Sequence, residues 1–223
     1  MTINSLPLNR ENITTLIYKR IKNKLMTAGY KPGDILLLRT ITEELGVSQT
    51  PVREALLQLV SERALTMTRG KSITVPVFDR KRLQDLRAIR LKLEVMAAEY
   101  AVHNITDSDI DRLDDIHRVM MLAKKKEDRE GTLLHNFEFH STLYAASYMP
   151  DLIAIIEGLW AQTGPSLSYL YKPPFYSNPG EHPHISVINA LRERRTDDAV
   201  AAIVQDVSDY GAALMDRLPA EMD

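Results

Sequence analysis

Apolar residues recur every three or four positions along most of this 223-residue chain, which predicts a mainly α-helical protein. The first such segment, from Glu11 to Ala28, reads as one amphipathic helix that ends before the proline and glycine of Tyr30 to Asp34. Its apolar residues Ile13, Leu16, Ile17, Ile21 and Leu25 lie on one stripe.

Two further helices are predicted on either side of a sharp turn. Ile41 and Leu45 share one face of a short helix, and Gly46 stands where a helix end needs a positive φ. Ser48 is a favourable N-cap for the next helix, and Pro51 falls in its first turn, where a missing N–H is tolerated. The apolar face of this second helix packs on the first through Val52, Ala55, Leu56 and Leu59.

The start of the second helix presents polar side chains outward, namely Ser48, Gln49, Thr50 and Arg53. Arg53 can bind guanine or phosphate, and Gln49 can bind adenine or phosphate. A helical hairpin with ordinary surface residues is the alternative. The segment that follows favours the DNA-binding reading.

That segment predicts a β-hairpin from Leu65 to Thr68 and from Ser72 to Val77. Its tip is Arg69-Gly70-Lys71. A basic wing of this kind places Arg69 near the minor groove, while Gly70 lets the backbone approach DNA closely. Residues 1–78 therefore read as a winged helix-turn-helix domain.

The run from Gly46 to Leu59, with Lys31-Pro-Gly-Asp before it and the hairpin after it, resembles the DNA-binding domain of the GntR family of bacterial transcription regulators. The likeness spans about residues 11–77. Two positions depart from the family pattern: Gln49 stands where arginine is usual, which leaves the operator sequence open, and Ala64 stands where glycine is usual. By position, the resemblance implies DNA contacts from Arg39, Gln49, Thr50, Arg53, Arg69 and Gly70.

Residues 79–223 read as a second, all-helical domain. Thr106 and Asp109 have the spacing of a capping box at a helix start. The predicted helices run from Arg82 to His103, from Thr106, from Glu130 to Tyr148, from Pro150 to near Tyr171, from Glu181 to Arg194 and from Thr196 to Arg217, with a loop from Lys172 to Gly180.

Four polar residues lie on the apolar stripes of these helices: Asn136, His140, His184 and Asp206. All four are expected to point inward, which suggests a cavity lined by oxygen and imidazole ligands. Such ligands without thiolate suit one divalent metal, zinc, nickel or manganese. Without a metal, the same residues form a hydrogen-bonded pocket.

The second domain, at about residues 80–215, resembles the FCD domain of the FadR/VanR branch of GntR regulators, through the runs that begin at Arg90, Asn136 and His184. Many FCD domains bind a metal through one Asp and three His. By position, Asn136 replaces the Asp, His140 and His184 match two His, and Asp206 replaces the third. Arg90 matches a pocket arginine that faces an anionic effector, and a plain salt bridge is the alternative.

The other histidines are expected to lie outside this ligand set. His135 and His182 flank the ligands in the sequence and are predicted at the surface. His103 and His117 are predicted as helix-face histidines, each satisfied by one hydrogen bond.

Composition and charge support a regulator inside the cell. The absence of cysteine excludes disulfides and thiolate metal sites. Residues 1–78 carry a net charge of +5 and the remainder −7, so the basic excess coincides with the predicted DNA-binding domain. With no membrane-length apolar run and no signal-peptide pattern, we expect a cytoplasmic protein that does not bind membranes.

These patterns predict a non-enzymatic transcription regulator, more often a repressor than an activator, that binds a pseudo-palindromic site on double-stranded DNA as a homodimer. A small carboxylate effector is expected in the helical cavity at Arg90, Asn136, His140 and His184. One alternative is a constitutive DNA-binding protein with a vestigial pocket. The other is a metal-dependent enzyme tethered by the winged domain, with Glu138 or Glu181 as general base.

Overall fold

The computed structural model describes residues 9–170 and 180–219, and over these ranges the protein is mainly α-helical, as predicted. The helices are α1 (Asn9–Met26), α2 (Leu38–Leu45), α3 (Gln49–Ser61), α4 (Arg80–Asn104), α5 (Asp107–Lys125), α6 (Arg129–Ala145), α7 (Pro150–Thr163), α8 (Pro183–Arg192) and α9 (Thr196–Asp216). The strands are β1 (Thr66–Met67) and β2 (Ile73–Thr74). No helix in the described ranges is long and apolar enough to cross a membrane.

The amino-terminal part is a winged helix in which α1 and α2 both pack on α3. Strands β1 and β2 are antiparallel, with Thr66 opposite Thr74. They are shorter than the predicted hairpin arms, because Pro76 has no N–H to extend β2. The backbone N–H of Val75 instead donates to the carbonyl of Asp34 on the other side.

Helix α1 buries only the carboxy-terminal part of its predicted stripe. Ile17, Ile21 and Leu25 are buried, whereas Ile13 is exposed and Leu16 is 66% exposed. Helical spacing shows which residues share a face but not how far along the helix its neighbours reach.

The carboxy-terminal part is a bundle in which α5 pairs with α6, α8 pairs with α9, and α4 packs on α9. The capping box at the start of α5 is present, with the Thr106 and Asp109 side chains each bonded to the other's backbone.

The helix predicted from Pro150 to Tyr171 is interrupted. Helix α7 ends at Thr163 and continues as a 3₁₀ turn (Gly164–Tyr169), because Pro165 cannot donate to an α-helical ladder. Tyr171 and residues 172–179 of the predicted loop lie outside the described residues.

The two parts share one continuous apolar core, and α1 packs on α7 and the 3₁₀ turn. Lys22 on α1 pairs with Glu157 on α7 at 3.1 Å. Gly164 comes so close to the end of α1 that an added Cβ would lie 2.8 Å from the Cα of Met26. The helical bundle and the winged helix are therefore in direct contact.

Candidate functional site

The predicted recognition helix is α3, and its burial matches the sequence pattern. Val52, Ala55, Leu56 and Leu59 are buried, while Gln49, Thr50 and Arg53 are exposed. Gly46 closes α2 with φ 63°, as a left-handed C-cap.

Ser48 is the N-cap residue of α3, but its hydroxyl makes no capping hydrogen bond. The expected cap bond is thus absent. Pro51 is the third residue of the helix, where a cap side chain commonly finds its N–H donor, and proline has none. The Ser48 hydroxyl stays exposed beside Gln49.

The candidate DNA-contacting side chains are largely uncommitted. Within the described residues, Gln49, Thr50, Arg53 and Arg69 make no side-chain hydrogen bond or ion pair. Arg39, the second residue of α2, pairs with Glu43 at 2.8 Å, but both side chains are exposed, so the pair is weak and can open for a phosphate.

The wing places its basic tip beside the recognition helix, since Arg53 and Lys71 line one groove. The positive φ in the tip, 63°, belongs to Lys71 and not to Gly70. An added Cβ at Gly70 would meet nothing closer than 3.9 Å. The fold itself therefore does not require glycine at this position.

The helical bundle contains a cavity of ≈ 780 Å³, part of it open to solvent. The cavity lies between the main core and a smaller apolar cluster that includes Leu83 and Leu214. The charged residues in its lining are Arg87, Arg90, Glu94 and Asp206, and its other polar residues include Asn136, His140 and Thr163. Neither Glu138 nor Glu181, the general bases imagined for an enzyme, is among the described residues that line it.

Three of the four predicted metal ligands converge. Nε2 of His140 lies 3.1 Å from Oδ2 of Asp206 and 3.4 Å from Nε2 of His184, and the three donor atoms all lie within 4.8 Å of one another. Asn136 lines the same cavity, and its amide has no hydrogen-bond partner within the described residues.

The hydrogen bond between Nδ1 of His140 and Tyr144 determines which of the two ring nitrogens of His140 carries the proton. The Tyr144 hydroxyl donates to Glu94 at 2.6 Å, so its oxygen can only accept from Nδ1 of His140, at 3.1 Å. Burial and the Glu94 carboxylate hold the pKa of Tyr144 well above its usual range, which keeps that proton in place. In the neutral imidazole of His140, Nε2 then points a lone pair at Asp206.

These residues fit a divalent metal. Two imidazoles and a carboxylate each bring one potential ligand atom within 4.8 Å of the others, and Oδ1 of Asp206 is buried without a hydrogen-bond partner in the described structure. Burial and the neighbouring histidines hold the pKa of His184 well below its usual range, so its imidazole is neutral and able to bind a metal.

Arg90 lies in the cavity wall as the resemblance implied, but it is already paired. Its Nε donates to Glu94 at 2.7 Å and its Nη1 to Thr163 at 3.2 Å. Arg87, one turn earlier on α4, lines the same cavity and has no carboxylate partner within the described residues. Among the described residues, its guanidinium donates only to the Ser208 carbonyl.

Two histidines are more buried than the sequence analysis placed them. His182, expected at the surface, is buried as the N-cap residue of α8, and Nε2 of its ring lies 2.8 Å from the Tyr210 hydroxyl of α9. His117 lies on a helix face as expected, but Nδ1 of its ring is buried without a partner in the described structure. The burial of His117 could have been predicted from the sequence, because the residue lies between Leu113 and Met120 on one apolar stripe of α5.

A winged helix with uncommitted recognition residues, joined to a helical domain around a polar cavity, is the architecture of a transcription regulator. The chain belongs to the GntR family: residues 14–75 match the model for bacterial regulatory proteins of the gntR family, and residues 85–209 match the FCD domain. The resemblance found in the sequence is thereby confirmed.

Known relatives agree. The chain is 38% identical over 161 residues to the HTH-type transcriptional regulator McbR of Escherichia coli (strain K12), covering 72% of this chain and 73% of McbR. The solved structure of E. coli McbR/YncC matches with a TM-score of 0.86 at 33% identity, over 91% of this chain and 96% of that one. The gluconate operon transcriptional repressor of Bacillus subtilis (strain 168) is 28% identical over 56% of this chain and 51% of its own length.

Proposed function

We propose that this protein is a repressor that binds a pseudo-palindromic operator as a homodimer in the bacterial cytoplasm and responds to a small carboxylate in the helical cavity. The observation that carries the proposal is the segment Trp160–Gly164. Trp160 and Thr163 line the cavity, and Gly164 touches α1 of the winged helix. The name of the gluconate operon repressor supports the repressing role.

Operator contact is assigned to the exposed start of α3 and to the wing. Arg53 and Gln49 are the base-reading candidates, because both can form bidentate hydrogen bonds in the major groove. The remaining contacts, to phosphate or the minor groove, are assigned to Arg39, Ser48, Thr50, Arg69 and Gly70.

The carboxylate is expected to meet Arg87 first, since that guanidinium carries the positive charge in the cavity wall that Glu94 does not neutralise. Arg90 acts as a second, partly neutralised donor. Asn136, His140, His184 and Asp206 are assigned to a divalent metal, zinc, nickel or manganese. When bound, that metal supplies a Lewis-acidic position for a carboxylate oxygen.

The homodimer is supported by an apolar stripe on the outer face of α4. Ile89, Met96 and Tyr100 are exposed and share one helix face with half-buried Leu93. A second copy of the chain would cover this stripe and set the distance between two recognition helices.

The response follows from mass action between two arrangements of the dimer. A carboxylate that contacts Trp160 and Thr163 favours one position of α7, and α7 carries α1 with it through Glu157 and Gly164. The ligand shifts operator affinity only as far as its affinity differs between the two arrangements.

The test combines selection of bound fragments from genomic DNA with a footprint of the selected sites. Two symmetric half-sites about one helical turn apart are expected. Operator affinity is then measured with a panel of small mono- and dicarboxylates. An operator whose affinity responds to none of them, with and without added Zn²⁺, Ni²⁺ or Mn²⁺, would point to a constitutive regulator. A chain that selects no sequence would refute the whole proposal.

A further inference from the structure

Behind the effector cavity, three buried histidines converge between α5 and the start of α8. One nitrogen of each ring of His117, His182 and His184 lies within 4.8 Å of one nitrogen of each of the others. The ring centroids of His182 and His184 are 4.4 Å apart, and His117 lies 5.3 and 5.5 Å from them. The described residues that line the effector cavity include none of the three.

Two nitrogens of this cluster are buried and lack a hydrogen-bond partner in the described structure, Nδ1 of His117 and Nδ1 of His184. Leaving a buried polar atom unsatisfied is destabilising, so native proteins seldom retain two such atoms in one cluster without a ligand. Both atoms belong to imidazoles, which are common metal ligands.

The two nitrogens of His184 face different partners. Nε2 lies 3.4 Å from His140 and 3.9 Å from Asp206, within the ligand set already described. Nδ1 is therefore the atom left for His117 and His182. The ring of Phe139 stacks on His184 at 3.6 Å and 4°, which fixes the plane of the imidazole.

His182 is oriented from its far side. Its Nε2 lies 2.8 Å from the Tyr210 hydroxyl, and its Nδ1 accepts a long hydrogen bond, 3.3 Å, from the backbone N–H of His184. Binding a metal through Nδ1 gives up only this long contact, while Tyr210 continues to hold the ring.

We propose that His117, His182 and His184 form a second transition-metal site, an alternative to the set of His140, His184 and Asp206. The neutral imidazole of His184 has a lone pair on only one nitrogen, so this residue serves one set at a time. An all-imidazole site suits zinc, copper(II) or nickel and disfavours magnesium or calcium. Zinc–nitrogen distances of about 2.0–2.1 Å place tetrahedral ligands about 3.4 Å apart, so each nitrogen has to move by less than about 1 Å.

Because the two ligand sets share His184, the test first dismantles the other one. A His140→Gln variant of the full chain, freed of metal by chelation, is titrated with Co²⁺ and followed by its visible d–d absorption. One Co²⁺ per chain with the intense spectrum of tetrahedral coordination is expected. Adding His117→Gln or His182→Gln should weaken that binding by at least the 10- to 100-fold that even outer-shell changes typically cost.

The matched control adds His103→Gln, which removes an exposed histidine of α4 and should leave Co²⁺ binding unchanged. Circular dichroism verifies that each variant is folded, and Asp206→Asn replaces His140→Gln if the latter is not. A folded first-step variant that binds no Co²⁺ overturns the proposal. So does Co²⁺ affinity that is the same with and without His117 and His182.

Discussion

The guanidinium of Arg90 lies 2.7 Å from the carboxylate of Glu94, whose side chain is 0% exposed. The same carboxylate accepts hydrogen bonds from Tyr144 at 2.6 Å and Trp160 at 2.9 Å. Arg90 also lies over the Trp160 ring, 4.4 Å from its centroid. The carboxylate of Glu94 therefore links α4 to α6 and α7. The ion pair of Arg90 with Glu94 has a structural role, whether or not Arg90 also contacts a ligand.

Glu94→Gln should destabilise the protein by about 3 kcal/mol, because it leaves the largely buried charge of Arg90, 15% exposed, without its partner. Urea unfolding followed by circular dichroism measures the loss. Glu99→Gln, an exposed change on the same helix, should have almost no effect. A loss for Glu94→Gln no larger than that of the control would contradict this reading.

Arg87→Gln should weaken carboxylate binding about 10-fold or more, since a hydrogen bond to a charged group contributes about 1.5–3 kcal/mol. The ligand is the member of the carboxylate panel that raises the melting temperature of the wild-type protein most, and calorimetric titration gives its affinity. Arg82→Gln, also on α4 but outside the described cavity lining, serves as control. Equal affinities in the two variants would remove Arg87 from the binding site.

Gly164→Ala should destabilise the chain by about 1–3 kcal/mol, because the new methyl group meets the backbone of Met26 and must push α1 away. The same change should reduce the effect of the carboxylate on operator affinity. Gly158→Ala is the matched control: it lies on α7, and its Cβ meets nothing within 4 Å. If Gly164→Ala keeps both wild-type stability and the full ligand response, the junction does not transmit the signal.

Arg53→Ala should lower affinity for the selected operator by about 10- to 100-fold, corresponding to about 1–3 kcal/mol for a lost base contact. Binding to random DNA should fall much less. Arg112→Ala, which removes an exposed arginine of the helical domain, should change neither. Gel shifts at two salt concentrations distinguish base reading from phosphate binding, because a lost phosphate contact would weaken both DNAs alike and reduce the salt slope.

The capping box of α5 predicts a contribution to stability that depends on pH. Hydrogen bonds from the Thr106 side chain and backbone lower the pKa of Asp109 below its ordinary value of 3.8. The folded chain thus binds this proton more weakly than the unfolded chain, so the contribution is complete above about pH 4 and is lost as the pH falls through the folded value. Urea unfolding between pH 6 and about pH 3 should show a shallower acid loss in Asp109→Asn than in Asp111→Asn, which lies outside the box.

Much of the winged helix could be predicted because its determinants are local. The left-handed Gly46 and the spacing of Val52, Ala55 and Leu59 are each determined by residues close in the sequence. The missing cap bond at Ser48 could also have been predicted, since Pro51 stands in the sequence at the position of the donor.

The lining of the cavity was harder to predict, because it depends on which helices pack against one another. Helical periodicity predicted that His140 and Asp206 lie on inward faces. It did not predict that Arg90 pairs with Glu94 or that Arg87 has no carboxylate partner among the described residues. His182 was misplaced for the same reason: it precedes α8, where no stripe predicts burial, and its neighbour Tyr210 comes from α9.

The contact of Gly164 with the end of α1 also limits how such regulators can be recombined. Helix α1 packs on α3 within the winged helix and on α7 of the helical bundle, so it contributes to both parts of the protein. A chimaera joined at about residue 78 would set a foreign α1 against this glycine and lose the fit. Exchange of operator preference between relatives should succeed only when the exchanged segment begins after α1 and leaves the contact between α1 and Gly164 unchanged.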